Sequence, residues 1–139
     1  MRTTVKREKV LLILDWCVLK FGASKYNDEF PPRLRLYKSR GTGALKNIAL
    51  RGTYLDGTIC IYLGSITSYK ELCETVIHEY KHYIMNDNEY DRLTEKLKKK
   101  GRDEDFFLYH HPHEKRARYA ERKWGKICYG ELRYRLYKR

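Results

Sequence analysis

The chain has 139 residues, of which 42% are hydrophobic and 35% charged, a balance that predicts one soluble globular domain rather than a disordered chain. Thirty Lys and Arg against 18 Asp and Glu give a net charge of +12, which directs attention to an anionic partner, nucleic acid first. No apolar run approaches the ~18 residues of a membrane span, and the N-terminus has no signal-peptide cleavage pattern, so a cytoplasmic protein without a membrane partner is expected.

Val10, Leu11, Leu14, Cys17, Val18 and Phe21 recur at spacings of three and four, predicting a first helix over Thr4–Phe21 that stops at Gly22. A loop follows and ends in Pro31-Pro32. Arg33–Lys38 alternates apolar and basic residues and reads as a strand. Ile48–Leu55 and Thr58–Leu63 are β-rich runs separated by Asp56-Gly57, a dipeptide suited to a type I′ hairpin turn. Ser68-Tyr69-Lys70-Glu71 has the pattern of a capping box and opens a helix expected over Tyr69–Met85. Asn86-Asp87-Asn88 reads as a break, Asp91–Lys100 as a polar helix, and His113–Gly130 as the last helix. A basic tail is expected from about residue 131. The four cysteines, Cys17, Cys60, Cys73 and Cys128, form no C-x-x-C pair and are expected to be reduced thiols.

His78-Glu79-Tyr80-Lys81-His82 fits H-E-x-x-H. Histidines four apart on a helix lie one turn apart on one side and can both ligate one Zn²⁺. The intervening Glu79 is placed to take a proton from a water on that metal. On a helical wheel the polar front holds His78, His82, Glu71, Thr75 and Glu79, while Leu72, Cys73, Val76, Ile77, Tyr80, Tyr83 and Ile84 form a packed back. A catalytic zinc takes a third protein ligand. The elongated metzincin motif is absent, because Met85 and Asn88 stand where its Gly and third His would be. Glu114, at the start of the last helix beside its apolar arc, is one candidate. The alternatives are one of His110, His111 or His113, or one of Asp103, Glu104 or Asp105. Glu121 lies on the same helical face as Glu114, seven residues on. Ala117 and Ala120 are small enough to let the last helix approach the motif helix closely.

H-E-x-x-H followed about thirty residues later by Glu114-x-x-Ala117 on a helix resembles the gluzincin zinc metallopeptidases. The element order resembles the compact minigluzincin and ImmA/IrrE-like domains, and His111-Pro112-x-Glu114-x-x-Ala117 resembles small zincin-like proteins of bacteriophages. The resemblance implies one zincin-like α+β domain over residues 1–139, with a small three-stranded antiparallel or mixed sheet. It implies one Zn²⁺ on His78, His82 and Glu114, with Glu79 as general base in peptide hydrolysis through a zinc-activated water. It also implies an extended protein or peptide substrate paired with a strand, expected here at Thr58–Leu63. Tyr109, His111, His113 and Tyr119 are the candidates for an oxyanion or substrate contact. The competing reading is a regulatory or nucleic-acid-binding module that keeps the fold without peptidase activity. The charge concentrates at the C-terminus. Residues 115–139 carry 10 Lys and Arg against 2 acidic residues, so nucleic acid is a candidate partner of the tail.

Overall fold

The computed structural model describes residues 5–42, 49–103, 106 and 110–138. Within them the chain is α+β. Four helices, α1 (Arg7–Phe21), α2 (Tyr69–Ile84), α3 (Asp87–Lys99) and α4 (Pro112–Tyr137), pack with a three-stranded mixed sheet. Its strands are β1 (Arg33–Tyr37), β4 (Gly52–Leu55) and β5 (Thr58–Tyr62). β2 (Gly41–Thr42) and β3 (Ala49–Leu50) form a separate short antiparallel pair.

The α1 stripe buries Val10, Ile13, Leu14, Trp16 and Cys17, and the helix ends at Gly22 with φ +78°. Leu11, expected inside, is 36% exposed, and Ile13 takes the inward place. The Asp56-Gly57 turn forms as expected. Both residues have positive φ, +46° and +80°, and the turn pairs β4 with β5 antiparallel. β1 pairs parallel to the other side of β5. β5 is therefore the central strand, and both its edges are taken. This corrects the expectation that Thr58–Leu63 receives a substrate strand: a peptide cannot add to a strand with no free edge. Among the described residues β4 is the sheet edge beside α2, paired on one side only.

Ser68 caps α2 by accepting from the Glu71 amide at 3.1 Å. The Glu71 carboxylate accepts from the Thr67 amide and hydroxyl at 2.7 and 2.8 Å, one residue upstream of the usual box partner. Of the packed back of α2, Leu72, Cys73, Val76, Ile77, Tyr80 and Tyr83 are buried, and Ile84, at the helix end, is partly buried against the core. α3 begins earlier than expected. Asn86 is its cap, accepting from the Asn88 and Glu89 amides, so the Asn-Asp-Asn segment opens a helix instead of breaking one.

α4 corrects the expected tail. The helix runs on through residues 131–137 because Leu132 and Leu136 are buried one turn apart. The Lys9 ammonium donates to the carbonyls of Arg135 and Lys138, which a helix C-terminus leaves without partners. Tyr69 meets Tyr137 edge-on at 4.9 Å, closing the far end of the α2–α4 pair. A Cβ at Gly125 would lie 2.7 Å from Glu74 Cγ, so the absence of a side chain there sets how closely the two helices approach. Ala117 and Ala120 are buried in α4, as close helix packing requires. All four cysteines are free thiols, with Cys17, Cys73 and Cys128 buried. Among the described residues no helix is long and apolar enough to cross a membrane.

Candidate metal centre

The antiparallel α2–α4 pairing brings three of the expected side chains together. His78 and His82 project from α2 one turn apart, with ring centroids 5.1 Å apart. The Glu114 carboxylate, in the first turn of α4, bridges them. Its Oε2 lies 3.2 Å from His78 Nε2 and its Oε1 lies 2.7 Å from His82 Nε2. His82 Nε2 is buried and, apart from this ion-pair contact, has no hydrogen-bond partner. Its nitrogen is an orphaned polar atom aimed into the cluster. Two imidazole nitrogens and one carboxylate converging in this way are donors of the kind that Zn²⁺ takes. His78, Glu79 and His82 also form a group whose potential ligand atoms lie within 4.8 Å of one another. The residues present therefore fit a Zn²⁺ ion.

Electrostatics bind the cluster together. Burial works against a charged His78, but hydrogen bonds to Glu114 and Glu121 outweigh it and push its pKa up to about 10. Burial disfavours the Glu114 carboxylate, yet the two histidines hold its pKa far below the usual range. Glu79 is 6% exposed, and burial raises its pKa against the lowering influence of His78 and His82.

Glu121 does what the sequence reading did not foresee. It sits two turns along α4 from Glu114 and binds His78 Nδ1 at 2.9 Å. A proton on Nδ1, donated to Glu121, leaves the Nε2 lone pair for a metal, which is the usual carboxylate–histidine–metal relay. Arg51 lies 3.7 Å from the other Glu121 oxygen. The seven-residue spacing between Glu114 and Glu121 is the signal that carried this residue. Only the histidine between them in space was missing from a reading along the chain.

A cleft of about 550 Å³ opens over the cluster. Its walls are the segment from Leu50 to Asp56, which includes β4, the front of α2, and the facing sides of α3 and α4. Gly52 makes the approach of β4 to α2 feasible. A Cβ there would lie 2.9 Å from Thr75 Cγ2 and 3.1 Å from Glu79 Cγ. Tyr54 is tied to the strand's end, its hydroxyl accepting from Asn27 and from the Gly57 amide. Tyr90 of α3 also lines the cleft, with its ring edge-on to His82 at 6.0 Å. Burial first, and the Glu114 charge after it, push the Tyr90 pKa up to about 12, so its hydroxyl stays protonated and can donate.

The other expected contacts lie elsewhere. His111 is 0% and His113 2% exposed, and neither lines the cleft. His111 Nδ1 caps α4 by accepting from the His113 amide, which puts the ring proton on Nε2, toward the Tyr90 carbonyl at 3.2 Å. His113 pairs with Glu89 at 3.0 Å. Both rings pack on Tyr90, His111 stacked at 4.1 Å and His113 edge-on at 5.5 Å. Their place is behind Tyr90, which corrects the expectation that they touch substrate. Tyr119 is 65% exposed on the outside of α4 and is no part of the cleft. His110 is exposed and packs on Phe106 at 4.6 Å. Asp103 accepts from the Phe106 amide. Neither joins the cluster as a third ligand. Tyr109, Glu104 and Asp105 lie outside the described residues. No protein-family model, curated protein or solved structure matches the chain.

Proposed function

We propose that the protein is a zincin-like, zinc-dependent peptidase of the gluzincin type. The observation that carries the proposal is the meeting of His78, His82 and Glu114 from two helices, with the buried His82 Nε2 lacking any hydrogen bond. His78, His82 and Glu114 would hold the ion, and Glu121 would orient His78. When bound, Zn²⁺ supplies the Lewis acidity that makes water nucleophilic near neutral pH and polarises a carbonyl. Glu79, buried beside the histidines and lining the cleft, accepts the proton of the attacking water and passes it to the leaving amine. The Tyr90 hydroxyl donates to the carbonyl oxygen as it becomes tetrahedral, in a position held by His111 and His113. An extended peptide enters along the free edge of β4, where backbone pairing aligns it across the cleft.

The test is metal analysis beside a hydrolysis assay on a diverse peptide library. The wild type is expected to hold one Zn²⁺ per chain and to cleave a subset of the peptides. Glu79→Gln is expected to keep the metal and lose turnover by about 10²-fold or more. His82→Ala is expected to lose both. Purified protein that holds no stoichiometric metal after zinc supplementation overturns the reading.

A further inference from the structure

Lys20 of α1, Lys81 of α2 and Lys123 of α4 converge on one aromatic pair. Lys20 Nζ stands 4.5 Å and Lys123 Nζ 5.0 Å from the Trp124 ring centre. Lys81 Nζ stands 4.0 Å from the centre of Phe21, whose ring meets Trp124 edge-on at 5.9 Å. Three helices thus deliver three like charges to one spot. Among the described residues none of the three forms an ion pair. The ring faces offset part of the repulsion, and an anion would offset the rest.

Lys123 links the cluster to a longer feature, because its Nζ also stands 5.9 Å from the ring centre of Tyr119 on the outer face of α4. Lys115, Arg122, Lys126 and Arg133 follow one another at seven, four and seven residues, so they line one exposed stripe of α4. From Lys115 to Lys138 the exposed cations span roughly 35 Å at 1.5 Å per residue. Tyr119 and Tyr134, 65% and 93% exposed, stand among them. At about 100° per residue this stripe lies about a quarter-turn round the helix from Glu114 and Glu121. We propose that it is a nucleic-acid docking surface, with phosphodiester groups seated at the Lys20–Lys81–Lys123 cluster and the strand running along α4.

Two observations favour nucleic acid over a lipid surface. A helix that lies in a membrane interface needs a free apolar face, and the apolar arc of α4 (Ala117, Ala120, Cys128, Leu132 and Leu136) is spent in the core. The exposed aromatic side chains on the outer face are tyrosines, which offer a stacking ring with a polar tip. A linear row of cations also matches the linear charge of a phosphodiester backbone. The surface is independent of the peptidase reading, because no residue in it touches the metal cluster.

Fluorescence anisotropy with a labelled oligonucleotide of about 20 nucleotides, single-stranded and as a duplex, tests the proposal between about 50 and 200 mM salt. Binding of either probe is expected, with a log–log salt slope of about −2 or steeper, as release of counterions from three phosphates requires. The Lys20→Glu/Lys123→Glu variant is expected to bind at least about tenfold more weakly with a shallower slope. Lys98→Glu, on the exposed side of α3, is the charge control and is expected to bind as the wild type does. Circular dichroism checks that each variant is folded. The proposal is overturned by absence of binding at the lower salt, or by equal loss in the Lys98→Glu control. It is also overturned if anionic vesicles or polyglutamate bind as tightly and are lost on the same double substitution.

Discussion

At the scale of single residues, the proposed site separates ligands from the groups that aim them. His78 is held from both sides, by Glu114 at Nε2 and by Glu121 at Nδ1. If Glu121 fixes the tautomer, Glu121→Ala lowers zinc affinity by about 10–100-fold while stoichiometry at saturating metal stays at one. Competition against a chromophoric chelator measures this, and an unchanged affinity would remove Glu121 from the site. Tyr90 makes a different kind of contribution. Its hydroxyl is useful only where charge develops on the substrate oxygen, so Tyr90→Phe is expected to lower kcat by about 10²–10³-fold with zinc affinity and KM nearly unchanged. A variant that loses KM instead would make Tyr90 a substrate-positioning residue. These two roles were only partly legible in the sequence. H-E-x-x-H stands out because helical spacing alone places its two histidines, and Glu114 because Glu114-x-x-Ala117 resembles the gluzincin pattern. Tyr90 does not, because what marks it is the pair of histidine rings packed behind it, and those come from another helix.

At the scale of elements, local signals were readable and long-range pairings were not. Ser68, Asp56-Gly57 and the packed back of α2 each satisfy a rule that operates within a few residues. The central place of β5 depends on a parallel partner from before the hairpin, and a strand's own pattern does not reveal its neighbours. The length of α4 depends on Lys9 at its far end and on a core that receives Leu132 and Leu136. The α3–α4 junction shows how a polar residue read as catalytic becomes structural. His111 joins the α4 cap to the Tyr90 carbonyl, and burial lowers its pKa. The folded state therefore prefers neutral His111. The stability this confers is full above the unfolded value, about 6.5, and is lost as pH falls through the depressed folded value. His111→Asn keeps a capping acceptor without a titrating ring. Urea unfolding is expected to show the wild type more stable than His111→Asn at about pH 7.5, with the gap narrowing at about pH 5.5. A gap that widens on acidification would show that protonated His111 is the preferred form.

At the scale of the whole molecule, the proposed metal centre lies where the two longest helices meet at one end, while Lys9 and the Tyr69–Tyr137 contact join α4 to the rest at the other. The proposed ligands come from both sides of that joint: two histidines from α2 and one carboxylate from α4. An ion bound there is bound by the folded arrangement far better than by the open chain, so its binding free energy adds to folding. At about 1,000 times its dissociation constant, zinc adds about 4 kcal/mol. For a chain of this size that corresponds to a rise in Tm of roughly 10 °C or more. Calorimetric scans with zinc and with a chelator are expected to differ by that amount. Glu114→Ala removes the ligand on one helix and is expected to erase most of the difference. Glu79→Gln changes no ligand and is expected to preserve it. The pairing of these two variants separates a centre that ties α2 to α4 from one held by α2 alone. In the second case Glu114→Ala would leave the zinc-dependent shift intact, and the two histidines one turn apart would be carrying the ion unaided.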